Sequence, residues 1–130
     1  MTTQINAQDL KKHQWKQRVL VIMTNTFHNT DFTSQIEALE PHQDGIEERQ
    51  LIVYQLHPEF YTIGFSENGE RIKNAALYES LNKKDLPFEI VLIGLDGGIK
   101  LRLATLLSPE ALFNTIDAMP MRRNELRRKD

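Results

Sequence analysis

No cysteine occurs at any of the 130 positions of this chain. That absence excludes disulfides, thiolate nucleophiles and thiolate metal sites, and with them dithiol exchange or peroxide reduction by a cysteine. No apolar run approaches the roughly 20 residues a membrane-spanning helix requires, and Met1 to Lys12 is polar, without the apolar centre of a signal peptide. The expected location of the chain as written is the cytoplasm, with export to the periplasm or the exterior as the alternative if a leader has been removed. An excess of either charge is missing too. Sixteen basic residues against eighteen acidic ones leave a net charge of −2, which argues against general affinity for nucleic acid or anionic membranes. The four histidines, His13, His28, His42 and His57, are too widely spaced for a local metal motif. Neither a metal nor a cofactor is expected.

What is present suits one domain with an ordinary core, since folding at this length buries roughly two thirds of the surface exposed by the unfolded chain. Arg18 to Met23 is a compact β-branched and aliphatic run, long enough for a strand buried on both faces. A polar loop follows, then Asp31 as the cap of a helix whose Phe32, Ile36 and Leu39 fall at i, i+4 and i+7. Pro41 is expected to end that helix and Asp44-Gly45 to form a turn before a second strand, Gln50 to Leu56, giving a parallel crossover. His57 to Arg71 is ambiguous: Phe60 to Phe65 reads as a short strand with Asn68-Gly69 as a hairpin turn, or as a loop before a helix. Asn74 to Leu81 reads as helix.

Asp85-Leu86-Pro87 leads into a third strand, Phe88 to Gly94, and Asp96-Gly97-Gly98 supplies the positive φ angles of a reversal. Ile99 to Leu103 alternates as an edge strand. Ser108, Pro109 and Glu110 then open a helix with Leu112, Phe113, Ile116 and Met119 inward, and Pro120 is expected to end it. Residues 1–17 read as an arm anchored by Trp15, residues 18–121 as the domain and residues 122–130 as a charged tail.

The order strand-helix-strand-helix-strand-strand-helix, from about Arg18 to Met119, resembles the thioredoxin core. The implied fold is α/β, a three-layer α/β/α sandwich on a mixed sheet with four core strands. The resemblance also implies a cis bond at Pro87 and a cleft between the Asn25 to Asp31 loop and Leu86-Pro87. The redox dithiol has no counterpart in Asn25-Thr26-Phe27-His28-Asn29-Thr30-Asp31. More narrowly, Trp15-Lys-Gln-Arg-Val-Leu-Val, Asp96-Gly-Gly-Ile-Lys-Leu-Arg and Ile116-Asp-Ala-Met-Pro-Met-Arg are similar to a domain of unknown function. That domain is shared by small bacterial proteins and the DUDES-type domains of sushi-repeat-containing extracellular proteins. It implies a thioredoxin-like or peroxiredoxin-like fold without an assigned activity.

Candidate ligand residues are therefore Phe27, His28, Asp31, Leu86 and Pro87, the backbone of Leu86 being implied to pair with an extended ligand by strand addition. Lys100 and Arg102 are candidates for an acidic group, although cations on an edge strand also prevent edge pairing. Met119, Met121, Arg122 and Arg123 are candidates for partner docking. The competing reading, which is preferred, packs both methionines onto the core and leaves the arginines in water. The expected function is a non-catalytic binding module for a peptide, protein or small ligand. The alternative is a glutathione-related enzyme without thiols, with His28 as acid or base.

Overall fold

The computed structural model describes residues 8–26, 28–65 and 69–129. At its centre is β1 (Arg18–Thr24), every residue of which is buried because both faces of the strand are covered. Alternate side chains enter opposite layers. Leu20 and Ile22 join the cluster formed with α2 (Thr30–Leu39), α3 (Gln43–Glu48) and α5 (Pro109–Asp117), whereas Val19, Val21 and Met23 pack with α1 (Gln8–Lys11) and α4 (Ala75–Leu81). Each such aliphatic side chain contributes about 1.5–3 kcal/mol by leaving water, so this one strand ties both layers together.

β2 (Leu51–Leu56) runs parallel to β1, with Leu51 opposite Arg18 and Leu56 opposite Met23. β5 (Phe88–Ile93) lies antiparallel on the other side, Val91 opposite Val21. β6 (Ile99–Leu103) is the edge beyond β5, and β3 (Phe60–Ile63) and β4 (Ile72–Lys73) extend the opposite flank, so the order is β4-β3-β2-β1-β5-β6. A mixed sheet with helices on both faces is the expected α/β/α sandwich. Beyond its four core strands it carries the antiparallel β3 and β4. The Asn68-Gly69 turn falls partly outside the described residues, at Asn68.

Local chemistry accounts for the helix starts. Asn29, not Asp31, caps α2 by accepting from the Phe32 N–H at 2.9 Å, and Ser108 caps α5 by accepting from Ala111 with Pro109 at the first position. The buried Gln35 amide holds both backbone groups of Leu107, at 2.8 and 2.7 Å, and so fixes the β6–α5 loop against α2.

Several local expectations are corrected. α2 stops at Leu39, but Pro41 sits in a 3-10 turn (Glu40–His42) that leads straight into α3, and Asp44-Gly45 lies inside that helix. The glycine is needed there for packing, since a Cβ would stand 2.9 Å from Cζ of Phe113. Pro120 does not terminate structure: it opens α6 (Pro120–Lys129), as a proline in a first turn can. The segment from 122 is therefore helical as far as Lys129. The Trp15 side chain is 63% exposed and is not the anchor; the arm is held by Leu10, by the Trp15 N–H on the Leu95 carbonyl at 2.6 Å, and by His13, which bonds the Tyr54 hydroxyl at 2.7 Å and Gln17 at 2.6 Å.

Candidate functional site

The loop after β1 lies between two others at the same end of the sheet: the 82–87 segment that enters β5, and the turn from β2 into β3. Toward β5 the space is closed by two asparagines of the β1 loop, and a third braces the facing segment from within. Asn25 donates to the Asp85 carbonyl at 3.1 Å and Asn29 to the Pro87 carbonyl at 3.2 Å. Asn82 takes both backbone groups of Leu86, accepting from its N–H at 2.9 Å and donating to its carbonyl at 3.1 Å. The Tyr78 hydroxyl, bonded to Asp85 at 2.6 Å and to Asn82 at 2.9 Å, braces the same segment. Burial, then the hydrogen bond to Asp85, push that phenol up to about 12.

The Leu86 peptide edge, expected to be open for strand addition, is thus already satisfied within the chain. The Leu86–Pro87 bond, expected to be cis, is trans; Asp85 at φ 51° and the Asn82 bridge set the path into the proline instead. His28 and Asp31 are both exposed, and no hydrogen bond or ion pair joins either side chain to the other or to another described residue. Phe27 lies outside the described residues.

Toward β2 the space is open. A cleft of about 220 Å³ is lined by Asn25, Thr26, His57, Pro58, Glu59 and Phe60. The loop side is shaped by Thr24, whose hydroxyl donates to the Thr26 carbonyl at 2.8 Å and accepts from the Thr26 N–H at 3.3 Å. The other side is a tight turn in which the His57 N–H reaches the Phe60 carbonyl at 2.8 Å.

Its rings are layered. His57 stacks on Phe60 with centroids 4.5 Å apart and meets Phe32 edge-on at 5.3 Å, and the Arg71 guanidinium lies 4.8 Å from the Phe60 centroid. Burial, and secondarily Arg71, depress the His57 imidazole to about 4, so it is neutral at pH 7. Glu59, exposed, supplies a carboxyl group at the wall. Sequence reasoning missed this group; the available signal was His57-Pro58 standing immediately after the second strand. Among the described residues no set of three or more His, Asp or Glu side chains could hold a metal ion, and no helix is long and apolar enough to cross a membrane.

The remaining candidates lie elsewhere and are mostly engaged. Lys100 pairs with Asp96 at 2.9 Å, and Arg102 with the buried Glu89 at 2.7 Å and the Leu81 carbonyl at 3.0 Å. Lys100 and the Gly98 N–H hold the Asp96 carboxyl below its ordinary range. At the opposite end of the sheet the preferred reading of residues 119–123 is half reversed. Met119 packs on the core, Met121 is 39% exposed and Arg123 is exposed, but Arg122 is only 1% exposed.

Arg122 bonds Asp117 at 3.0 Å, Glu48 at 3.0 Å and Glu125 at 3.4 Å, while Arg18 bonds Glu125 at 2.9 Å and Arg49 bonds Asp117 at 2.9 Å. Burial alone would raise the Asp117 carboxyl, yet Arg49 and Arg122 outweigh it and hold the group below its ordinary range. This network fastens α6 across the start of β1.

A mixed sheet with the loop of β1 and a proline-led β5 at one end, and no thiol anywhere, defines a cysteine-free thioredoxin-like domain. The chain belongs to the family described as Domain of unknown function (DUF4174), whose model matches residues 9–125. It is 33% identical over 115 residues to sushi repeat-containing protein SRPX of Homo sapiens and 30% identical over 114 residues to that of Rattus norvegicus. Each alignment covers 85% of this chain and 25% of the relative. The chain thus spans about a quarter of the length of these relatives.

Among solved structures it is similar to the reduced 2-Cys peroxiredoxin of Plasmodium vivax (TM-score 0.64, 16% identity, 88% of this chain and 72% of that one). Thioredoxin peroxidase I of Plasmodium yoelii gives a TM-score of 0.60 at 18% identity, covering 88% of this chain and 79% of that one. The apo form of Trgpx gives 0.54 at 21% identity, covering 88% and 89%. At these identities the likeness is one of fold.

Proposed function

We propose that the chain is a non-catalytic binding module whose ligand seat is the cleft at the carboxyl ends of β1 and β2. The observation that carries this reading is the placement of an open cleft, walled by the His57–Phe60 ring stack and edged by Glu59, where open α/β sheets receive ligands. At about 220 Å³ it is smaller than the roughly 300–1,000 Å³ of pockets that enclose drug-sized molecules. It suits a small ligand or one side chain of a peptide, with a flat apolar body against the rings and a cationic or donor group toward Glu59. Among the described residues no hydroxyl is hydrogen-bonded to the His28 side chain, which favours the module over a thiol-independent enzyme. A fold that uses no thiol assembles equally in reducing and oxidising compartments, and the similarity to sushi-repeat proteins supports an exported setting.

The test is titration of the labelled protein with N-acetylated, amidated Phe-Arg and Trp-Arg dipeptides, followed by amide NMR. Shifts centred on residues 25, 26 and 57–60, lost in Phe60→Ala at unchanged global fold, are the expected result. Shifts centred on Leu86 and Pro87, or none at millimolar peptide, would overturn the assignment.

A further inference from the structure

β2 keeps an open edge at its start, the end of the strand remote from His57. β3 pairs with β2 only where Ile63, Thr62 and Tyr61 stand opposite Tyr54, Gln55 and Leu56. One further bond, from the Gly64 N–H to the Val53 carbonyl at 2.8 Å, ends the ladder, and the Gly64 carbonyl is taken by the Gln55 side chain at 2.7 Å. Gly64 has a φ of 83°, and a Cβ placed on it would meet nothing within 4 Å. The chain therefore leaves the sheet here into open space, in a conformation glycine adopts without steric cost.

The backbone of Leu51 faces the resulting gap. The Arg18 N–H is bonded to the Gln50 carbonyl at 2.7 Å, which aims that carbonyl at β1. Because the peptide unit is planar and trans, the Leu51 N–H points away from β1. The parallel register, Arg18 opposite Leu51 and Val19 opposite Ile52, turns the Leu51 carbonyl the same way. Among the described residues neither group has a hydrogen-bond partner. Leu51 is only 6% exposed, and it lines a cleft of about 200 Å³.

The cleft is apolar within and acidic at its rim. Ile46, Val53 and Phe65 form its walls as part of the core layer or packed against it, and Ile63, 37% exposed, stands at its mouth. Glu47 is the one acidic or basic residue among those lining it; the side chain is exposed and enters no ion pair among the described residues. Asp44, one helical turn earlier on α3, is likewise exposed and unpaired. The arginine of this region is engaged elsewhere, since Arg49 lies 4.1 Å from the Phe113 ring centroid and bonds Asp117 at 2.9 Å.

We infer that this notch receives a short extended segment of a partner protein, added as a strand beside Leu51. An aliphatic side chain of the segment lodges between Ile46 and Phe65, and a lysine or arginine lies against Glu47. A donor and an acceptor on one residue, both facing outward, match the backbone of a neighbouring strand. In such strand addition the main-chain bonds supply affinity and the side-chain pocket supplies specificity. The unpaired acidic side chains at the rim select a basic segment. A second copy of this chain is disfavoured, because pairing β2 with β2 about a two-fold axis would set Glu47 and Asp44 against their own counterparts. The notch lies apart from the His57 cleft and does not depend on the role proposed for it.

The test uses amide NMR of the isotope-labelled full chain. In the free protein the Leu51 amide should exchange with deuterium oxide much faster than that of Ile52, which faces β1. Titration with N-acetylated, amidated Lys-Val-Leu-Val-Lys should shift the amides of residues 46–47, 51–53 and 63–65 and slow exchange at Leu51. The same peptide methylated on its backbone nitrogens should lose most of its affinity. Glu47→Lys should weaken binding about tenfold and Glu47→Gln about threefold; the position is exposed, and an unchanged amide spectrum elsewhere verifies that each variant is folded. A Leu51 amide already protected in the free chain would overturn the inference, as would no shift at millimolar peptide or shifts centred on residues 25, 26 and 57–60. Equal binding by the methylated peptide, by Glu47→Lys, or by a peptide with glutamate in place of both lysines would overturn it too.

Discussion

Replacing Arg122 by alanine should be the most damaging single change in the C-terminal helix, although its neighbours Met121 and Arg123 look equally dispensable in the sequence. The guanidinium is 1% exposed and answers three carboxylates, Asp117, Glu48 and Glu125, as well as the Glu48 carbonyl at 3.5 Å. Breaking a buried ion pair from one side costs about 3–5 kcal/mol when the surviving charge stays buried. Here the surviving carboxylates are 34%, 43% and 23% exposed and recover some hydration, so the lower end applies, about 3 kcal/mol with the lost packing of the stem included. Met121→Ala and Arg123→Ala, on exposed positions, should stay within about 0.5 kcal/mol. With a urea m-value of about 1.5 kcal/mol/M, Arg122→Ala should move the denaturation midpoint down by about 2 M while the other two barely move it. A midpoint for Arg122→Ala within error of the parent, or a larger loss for Met121→Ala, would refute the account of how α6 is held.

The remaining predictions concern pH, a buried amide and chemistry. Because His57 is depressed from 6.5 to about 4, the unfolded chain takes up a proton that the folded one refuses. Stability is full above pH 6.5 and falls as pH drops toward 4, by up to about 3 kcal/mol. His13, also lowered by burial, acts in the same direction, so the His57 share is read as the difference between the parent and His57→Gln in denaturation midpoints from pH 7 to 4. A parallel pair of profiles would count against it. Gln35→Leu should cost about 2–4 kcal/mol by orphaning both backbone groups of Leu107, measured by urea denaturation, and Gln35→Glu, which buries a carboxylate and sets one of its oxygens against the Leu107 carbonyl, should cost no less at pH 7. Insulin reduction and peroxide consumption by repurified protein should match the blank, since both chemistries need a thiolate that the chain does not have.

The layered architecture was legible in the residues because it depends on local periodicity. A continuous apolar run at Arg18 to Met23 has no polar face to turn to water, so it becomes the strand between two helical layers, and the alternation of Ile99 to Leu103 marks the sheet edge in the same way. Caps were legible for similar reasons at Ser108, one residue type acting over one turn, and less so at Asn29, where Asp31 competed for the same role two positions on. The missing thiol was decided by composition alone. What the sequence could not display were properties set by partners remote along the chain. Gly45 reads as a turn until Phe113 is laid across it, and Arg122 reads as a solvated tail until Glu48, Asp117 and Glu125 surround it.

The candidate site shows the same division. Leu86 is satisfied locally by Asn82, four residues before it, whereas only the fold brings Asn25 and Asn29 onto the neighbouring Asp85 and Pro87 carbonyls to close that end. His57 looks like a loop histidine until Phe32 and Phe60 close over it and expel the water its charge would need. Sequence determines which residues prefer water and which repeat at the period of a strand or helix. Burial of a charge, closure of a peptide edge and exposure of Trp15 are decided by tertiary structure, because each depends on desolvation by groups that meet only when the chain has folded.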